Sequence, residues 1–319
     1  MIKIAITGCA GFIGFNLARD LVHSGRYNVV GFDNFNSYYD PQLKYDRAIR
    51  LMDICQINVD NVDLLDKEAV DEWLNEEQPD IVIHLAGYAG IRHSLNHPEI
   101  YVQNNIVGTN NLIEGCTTAG IQRVLYASTS STMAGNPLPW NEDEKLGRQL
   151  NPYAYSKQCN EQQFMSSTIQ STIGMRFFTV YGPWGRPDMA LFDFTKKILN
   201  GEPINVFNSG LMYRDFTYID DIINGIICLI DEITVQSEVN DVYNIGRGQQ
   251  VLLTDFIKEI EFQLGKEANC NYLDMHPADT KETWADTTKI ESIGYRPEVN
   301  IEEGIEMFIA WYKKYYGIS

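Results

Sequence analysis

The sequence predicts an α/β fold, a doubly wound parallel sheet of Rossmann type carrying a smaller α/β lobe. Three observations predict it. Apolar strand-like runs alternate with helical patterns through the first 177 residues, a rhythm that buries a parallel sheet between two layers of helices. The first run, Ile4-Ala5-Ile6-Thr7, passes straight into Gly8, Gly11 and Gly14 and then into a helix. Such a turn lets backbone N–H groups and a helix N-terminus receive a dinucleotide's pyrophosphate. The second run, Tyr27 to Asp33, ends in a carboxylate nineteen residues past Gly14, where these sheets place the acid that accepts from the adenosine ribose.

In chain order, strands are expected near 2–7, 27–33, 55–59, 80–86, 123–128 and 172–177, with helices near 12–24, 66–75, 99–118 and 153–169. After about residue 178 the rhythm breaks into Gly- and Pro-punctuated pieces, with a helix near 189–200 and a short strand at 204–207. A helix near 219–231 and a strand at 242–245 then return to the main sheet. The expected division is a dinucleotide-binding domain of residues 1–177 and about 216–246, with a second lobe of about 178–215 and 247–319.

Composition narrows the function. At 319 residues and 44% hydrophobic the chain can bury a large core. A formal charge of −18 argues against nucleic acid and anionic membrane surfaces as partners, since both need local positive charge. No apolar run is long enough to cross a bilayer and none resembles a signal peptide. The six cysteines lack any CxxC pair, so the reading is a reduced cytoplasmic protein without a zinc site. His93 and His97 have helical spacing, but Pro98 follows at once and no third ligand lies nearby, so no metal is expected.

Asp33 favours NAD over NADP, because it would repel a 2′-phosphate and no Arg or Lys stands between Asp33 and Lys44. Three segments fall at the carboxyl ends of later strands, where a doubly wound sheet binds its ligand. They are His84 to Gly90, the five hydroxyl residues Ser128 to Thr132, and Thr179 to Pro187. Tyr153 and Lys157 stand four apart at the start of the following helix, on one face. A phenol is a poor base at neutral pH, and a neighbouring ammonium is expected to lower its pKa and make it one.

With these residues the chain resembles the extended short-chain dehydrogenase/reductases of the nucleotide-sugar epimerase and dehydratase branch. Within that branch it is most similar to UDP-glucuronate 4-epimerases. The likeness is carried by Gly31 to Asn36, Gly90-Ile91-Arg92, Arg176 to Ala190 and Arg214 to Asp221. It implies Tyr153 as the base for the sugar 4-hydroxyl, Lys157 as its partner and ribose anchor, and a hydroxyl after the fifth strand completing the triad. Strand register selects Thr129, whereas counting back from Gly135 selects Ser130, because Met133-Ala134 replaces the usual Val-Tyr and the stretch is one residue longer. Thr129 is favoured, since the strand fixes where the first loop side chains point.

The same resemblance implies NAD contacts from Phe12, Ile13, Asn34, Leu85 and Ala86 beside the glycines and Asp33, with Asp63 and Leu64 bordering the adenine and Asn105 supporting the site. It implies Arg92, Ser130, Ser131, Thr179, Arg186, Arg214 and Asp279 on the UDP-sugar, Arg186 meeting the sugar carboxylate as a bidentate pair. A homodimer through the helices near 99–118 and 153–169 is also implied. The implied reaction is NAD-dependent 4-epimerisation of UDP-glucuronate to UDP-galacturonate through a 4-keto sugar. A 4,6-dehydratase is excluded because Ser130-Ser131 stand where that branch carries an Asp-Glu acid and base. The alternatives are a UDP-glucuronate decarboxylase, a neutral-sugar 4-epimerase and a non-catalytic NAD-binding regulator.

Overall fold

The computed structural model describes residues 1–276 and 278–318. Strands β1 (Ile2–Thr7), β2 (Tyr27–Asp33), β3 (Val59–Asn61), β4 (Ile81–His84), β5 (Arg123–Thr129) and β6 (Ser171–Phe177) are followed by short β7 (Thr179–Tyr181), β8 (Ile204–Phe207), β9 (Tyr213–Arg214) and β10 (Phe216–Tyr218). Then come β11 (Asn240–Ile245), β12 (Val251–Leu252) and β13 (Cys270–Leu273). Seven of them form one parallel sheet in the order β11-β6-β5-β4-β1-β2-β3. The remaining six pair two by two, β7 with β10, β8 with β13 and β9 with β12.

Alternation along the strands feeds two cores. Ile4 and Ile6 point into one, with Phe15, Leu17 and Ile226. Ala5 points into the other, with Val82, Leu74 and Leu112, as the two-residue period of a strand requires. β6 is buried along its whole length, which only a sheet covered on both faces allows. The sheet reverses its direction of growth between β1 and β4, so the carboxyl ends of β1, β4 and β5 open into a crevice.

Three expectations change. The strand expected near 55–59 is displaced: Cys55 ends a helix, α2 (Gln42–Cys55), that follows α1 (Phe12–His23), and β3 begins only at Val59. The apolar pattern of α2 is thin because it buries Lys44 and Arg47 along with Leu43, Leu51 and Cys55. Beyond α3 (Lys67–Glu77) and α4 (Ile91–Asn96), the single helix expected near 99–118 is instead α5 (Pro98–Tyr101), a π-helical turn over Val102–Val107 and α6 (Gly108–Thr118). The hydroxyl loop after β5 is a 3₁₀ turn over Ser130–Met133. There Met133, which with Ala134 replaces the usual Val-Tyr, packs with Trp140, Phe178 and Ala285 in a small core of its own.

The other helices are α7 (Pro152–Met165), α8 (Ala190–Asn200), α9 (Ile219–Val235), α10 (Leu253–Leu264), α11 (Thr288–Ser292) and α12 (Ile301–Tyr316). No helix among the described residues is long and apolar enough to cross a membrane.

Candidate active site

The turn after β1 is closed by backbone bonds. Gly8 and Cys9 donate to the Phe32 carbonyl and Gly11 to that of Gly8. Gly8 has φ +72°, and a Cβ there would lie 2.8 Å from the Ala86 nitrogen, so only glycine fits. Gly11 is the N-cap of α1 without a side-chain cap, which leaves the helix's first N–H groups free for an anion. Gly8, Gly11, Phe12, Ile13, Gly14, Asp33, Asn34, Asp63, Leu64, Leu85 and Ala86 all line one cleft of about 870 Å³. An uncapped helix start beneath a carboxylate and a cleft of this volume fit a dinucleotide.

Asp33 accepts from the Phe35 backbone at 2.9 Å, and Asn34 donates to Asp63 at 3.0 Å. The expectation that no cation offsets Asp33 is corrected. Lys44 returns on α2 to 3.8 Å from the Asp33 carboxylate. Burial raises the Asp33 pKa, and Lys44 draws it back down.

Asn105 lies at the π-turn and does not line the cleft. Its side chain accepts from Tyr88 N at 2.8 Å and donates to Tyr88 O and to the Ser156 hydroxyl, both at 2.9 Å. It is a strut between the segment after β4 and α7, rather than a cofactor contact.

Helix α7 starts with Asn151 accepting from Ala154 N and Pro152 in its first turn, a sharply defined N-terminus that turns Tyr153 and Lys157 into the cleft together. Behind the hydroxyl loop, Ser128 donates to Glu161 at 2.6 Å. Arg176 grips both oxygens of Glu161 at 2.9 Å. That buried group fastens the end of β5, which carries Thr129, to α7, which carries Tyr153. Burial raises the Tyr153 pKa, opposed by the polar Thr129 side chain nearby and the charge of Arg186. Thr129, Ser130 and Ser131 all line the cleft, and of the three it is Thr129 that acts on the phenol.

The expectation that Lys157 lowers the phenol's pKa is corrected, because burial dominates and the cation acting on Tyr153 is Arg186. Lys157 is itself buried, and burial pushes its pKa down to about 8.

Arg186 and Thr179 line the same cleft, but the guanidinium is not free. It forks onto Asp188, Nε to Oδ1 at 3.0 Å and NH2 to Oδ2 at 2.5 Å, and the Tyr38 hydroxyl donates to Asp188 at 3.1 Å. The expected bidentate pair with a ligand is corrected to this extent. Elsewhere in the cleft Arg92 donates to Asp279 at 2.9 Å and lies 3.8 Å over the Phe207 ring. Arg214 is held by the carbonyls of Tyr213, Thr280 and Lys281. Two arginines beside an aromatic face suit a pyrophosphate and a base.

Sequence reasoning gave no role to Tyr38, Lys44, Tyr88, Phe178, Asp188 and Phe207, which also line this cleft. Asp188, two residues from Arg186, could have been found by its spacing. Among the described residues no three His, Cys, Asp or Glu side chains converge as a metal site.

A sequence model of the NAD dependent epimerase/dehydratase family matches residues 4–246. The chain belongs to that family. Among its relatives is Protein CapI of Staphylococcus aureus, 41% identical over 98% of this chain and 99% of its own. Another is a UDP-glucuronate 4-epimerase of Thermodesulfobacterium geofontis, 39% identical over 97% of this chain and 95% of its own. The UDP-glucuronic acid 4-epimerase of Bacillus cereus, solved with UDP-glucuronic acid and NAD, superposes with a TM-score of 0.91 at 33% identity, over 99% of this chain and all of that one. As an epimerase/dehydratase family member the chain uses NAD, and the glycine turn, Asp33 and the Tyr153–Lys157 pair are where its cleft can accommodate it.

Proposed function

We propose that this chain is a UDP-glucuronate 4-epimerase, an isomerase that produces UDP-galacturonate and regenerates its NAD in every turnover. The observation that carries this reading is one wall of the cleft. Thr129, Ser130, Ser131, Thr179 and Arg186 line it together with Tyr153 and Lys157, more donors than a neutral sugar could use and the right kind for a carboxylate.

When bound, NAD accepts the hydride of sugar C4 and later gives it back. Tyr153 takes the 4-hydroxyl proton and returns it after the ketone has turned over, with Thr129 acting on the phenol throughout. Lys157 anchors the cofactor ribose, and the charge of Arg186 gives the phenolate an environment that burial alone would deny it. The 4-keto sugar is a β-keto acid, which loses carbon dioxide when its carboxylate can rotate freely. Ser130, Ser131 and Thr179 donate to that carboxylate, and Arg186 supplies the positive field around it. Arg92, Arg214 and Asp279 hold the uridine diphosphate. In this division of labour residues 1–177 and about 216–246 hold the dinucleotide, and about 178–215 and 247–319 hold the nucleotide sugar.

A second reading is 4-epimerisation of a neutral UDP-sugar. One observation favours it, since Arg186 is already paired with Asp188 and a hydroxymethyl group would not strand a bare cation. Offering the purified protein UDP-glucuronate and UDP-glucose side by side separates the two. A kcat/KM at least tenfold higher for the uronate supports the first, and equal values support the second.

The working form proposed is a cytoplasmic homodimer joined through α6, α7 and the π-turn. Val102, Val107, Tyr155 and Met165 are exposed along these elements, and all six cysteines are free thiols. A monomeric mass by light scattering contradicts the dimer.

A further inference from the structure

Helix α2 carries an arginine that the chemistry above does not use. Arg47 is fully buried at 0% exposure, and among the described residues no carboxylate lies within ion-pairing distance of it. Its NH1 donates to the Ala10 carbonyl at 3.0 Å and to the Tyr39 hydroxyl at 2.8 Å. Its NH2 donates to the carbonyls of Trp184 at 2.6 Å and Gly185 at 3.2 Å. Nε has no partner among the described residues. Burying a guanidinium on neutral acceptors is costly, so its position calls for a reason beyond filling space.

The reason lies in what its two ends hold. Ala10 sits inside the glycine turn, between Gly8 and Gly11. Trp184 and Gly185 immediately precede Arg186, on the wall assigned to the sugar. Trp184 has φ +62°, a left-handed conformation that an aromatic residue keeps only when its surroundings enforce it. Its ring is enclosed by Phe15 at 5.1 Å, Trp311 at 5.4 Å and Tyr315 at 5.3 Å. Phe15 belongs to α1, the helix that starts at the glycine turn. Tyr315 donates its hydroxyl to Asp46, the neighbour of Arg47. The turn under the pyrophosphate and the loop that aims Arg186 are therefore joined twice, by the guanidinium and by the Phe15–Trp184 contact.

We propose that Arg47 is a positioning residue that couples the dinucleotide turn to the carboxylate-facing loop, so that the order of the one sets the aim of Arg186 in the other. The identity of the sugar rests on the reading above; the coupling does not. Arg47→Met removes both tethers at similar side-chain length, and Arg47→Lys can keep one but cannot span both.

The test uses the protein as purified with its NAD. Three quantities are read: NAD retained per chain after gel filtration, KM and kcat per NAD-loaded chain for UDP-glucuronate, and the fraction of decarboxylated pentose in the product. Arg47→Met is expected to retain less NAD, to raise KM roughly tenfold with kcat per loaded chain within about threefold, and to leak pentose. Arg47→Lys is expected to fall between it and wild type. A purely structural role would lower the melting temperature and the active fraction and leave KM and product ratio alone, and that result overturns the proposal. Should Arg47→Met fail to fold, Arg47→Lys, which cannot span both tethers, decides alone, and an unchanged KM and unchanged NAD retention in that variant overturn it equally. If wild type turns over UDP-glucose in place of UDP-glucuronate, the substrate reading has failed, and the coupling is then decided by whether Arg47→Met shifts NAD retention and the KM for UDP-glucose together.

Discussion

Asp188 holds the Arg186 guanidinium in a two-bond fork, at 3.0 and 2.5 Å, on the cleft wall that also carries Tyr153. Burial opposes the charge on Arg186, but Asp188 outweighs it and keeps the guanidinium protonated. On the proposed reading a uronate would share Arg186 with Asp188 or displace it, and Asp188 would set how strongly the site prefers a charged sugar.

Asp188→Asn is therefore expected to strengthen discrimination between UDP-glucuronate and UDP-glucose, because the unshared cation attracts a carboxylate and penalises a hydroxymethyl group. The ratio of the two kcat/KM values should rise by roughly tenfold, or about 1.4 kcal/mol. Arg186→Ala should reverse it, weakening UDP-glucuronate by about 2–3 kcal/mol and diverting residual turnover to the pentose. Steady-state kinetics on both sugars check the pair, and an unchanged ratio in both variants removes Arg186 from carboxylate recognition.

Thr129 and Ser130 separate by their effect on the phenol. Thr129 is the hydroxyl that acts on the Tyr153 phenol and favours its ionisation, so Thr129→Ala should lower kcat by roughly 10²-fold, within the range of general acid–base contributions. Ser130→Ala should act more on KM and on pentose leakage. Tyr153→Phe should retain NAD and lose turnover. Equal kcat losses at the two hydroxyls would contradict the assignment.

Lys157 yields a pH-dependent expectation with a definite sign. Its folded pKa of about 8 lies below the ordinary 10.5, so between those values the unfolded chain binds more protons and stability rises with pH. Below about pH 8 the full penalty of the buried cation is present, on the order of 3 kcal/mol from the shift. Cofactor-free Lys157→Met should thus be more stable than wild type at pH 7, by an amount that shrinks toward pH 10, while losing turnover. Denaturant melts of both proteins at the two pH values measure it, and a pH-independent difference would refute the penalty.

Asp215 is a structural counterpart. One oxygen accepts from Thr217 and Arg247, the other from Gly248 and Ala285, tying the start of β10 to the loop after β11 and to the segment before α11. Asp215→Asn turns an acceptor into a donor facing backbone N–H groups and should cost about 2–3 kcal/mol. Urea melts report it, with activity per folded molecule little changed.

The sheet was legible because its signals are local. Glycines 8, 11 and 14 follow a strand, and Asp33 closes the next, so chain order alone places both at the switch point. Tyr153 and Lys157 were legible for the same reason, since a helical spacing puts them on one face. What escaped depends on chain segments far apart. Helix α2 hides because Lys44 and Arg47 occupy positions where apolar residues would have drawn a helical pattern, and their burial makes sense only once Asp33, Ala10 and Trp184 surround them. The π-turn at Val102–Val107 leaves no compositional trace, although it carries Asn105 to Tyr88. Arg186 was found, but its state was not. A charge on the page does not reveal that a neighbour two residues on has already taken it.

On the proposed reading the hydride of C4 leaves and returns within one cleft while the carboxylate stays in place. Incubating the NAD-loaded protein with UDP-glucuronate deuterated at C4, and following the products by NMR, tests it most directly. The expected product is UDP-galacturonate with the deuterium retained at C4, with no pentose and no build-up of NADH. Deuterium washed out to solvent, a pentose as the main product, or NADH accumulating in step with turnover would contradict it.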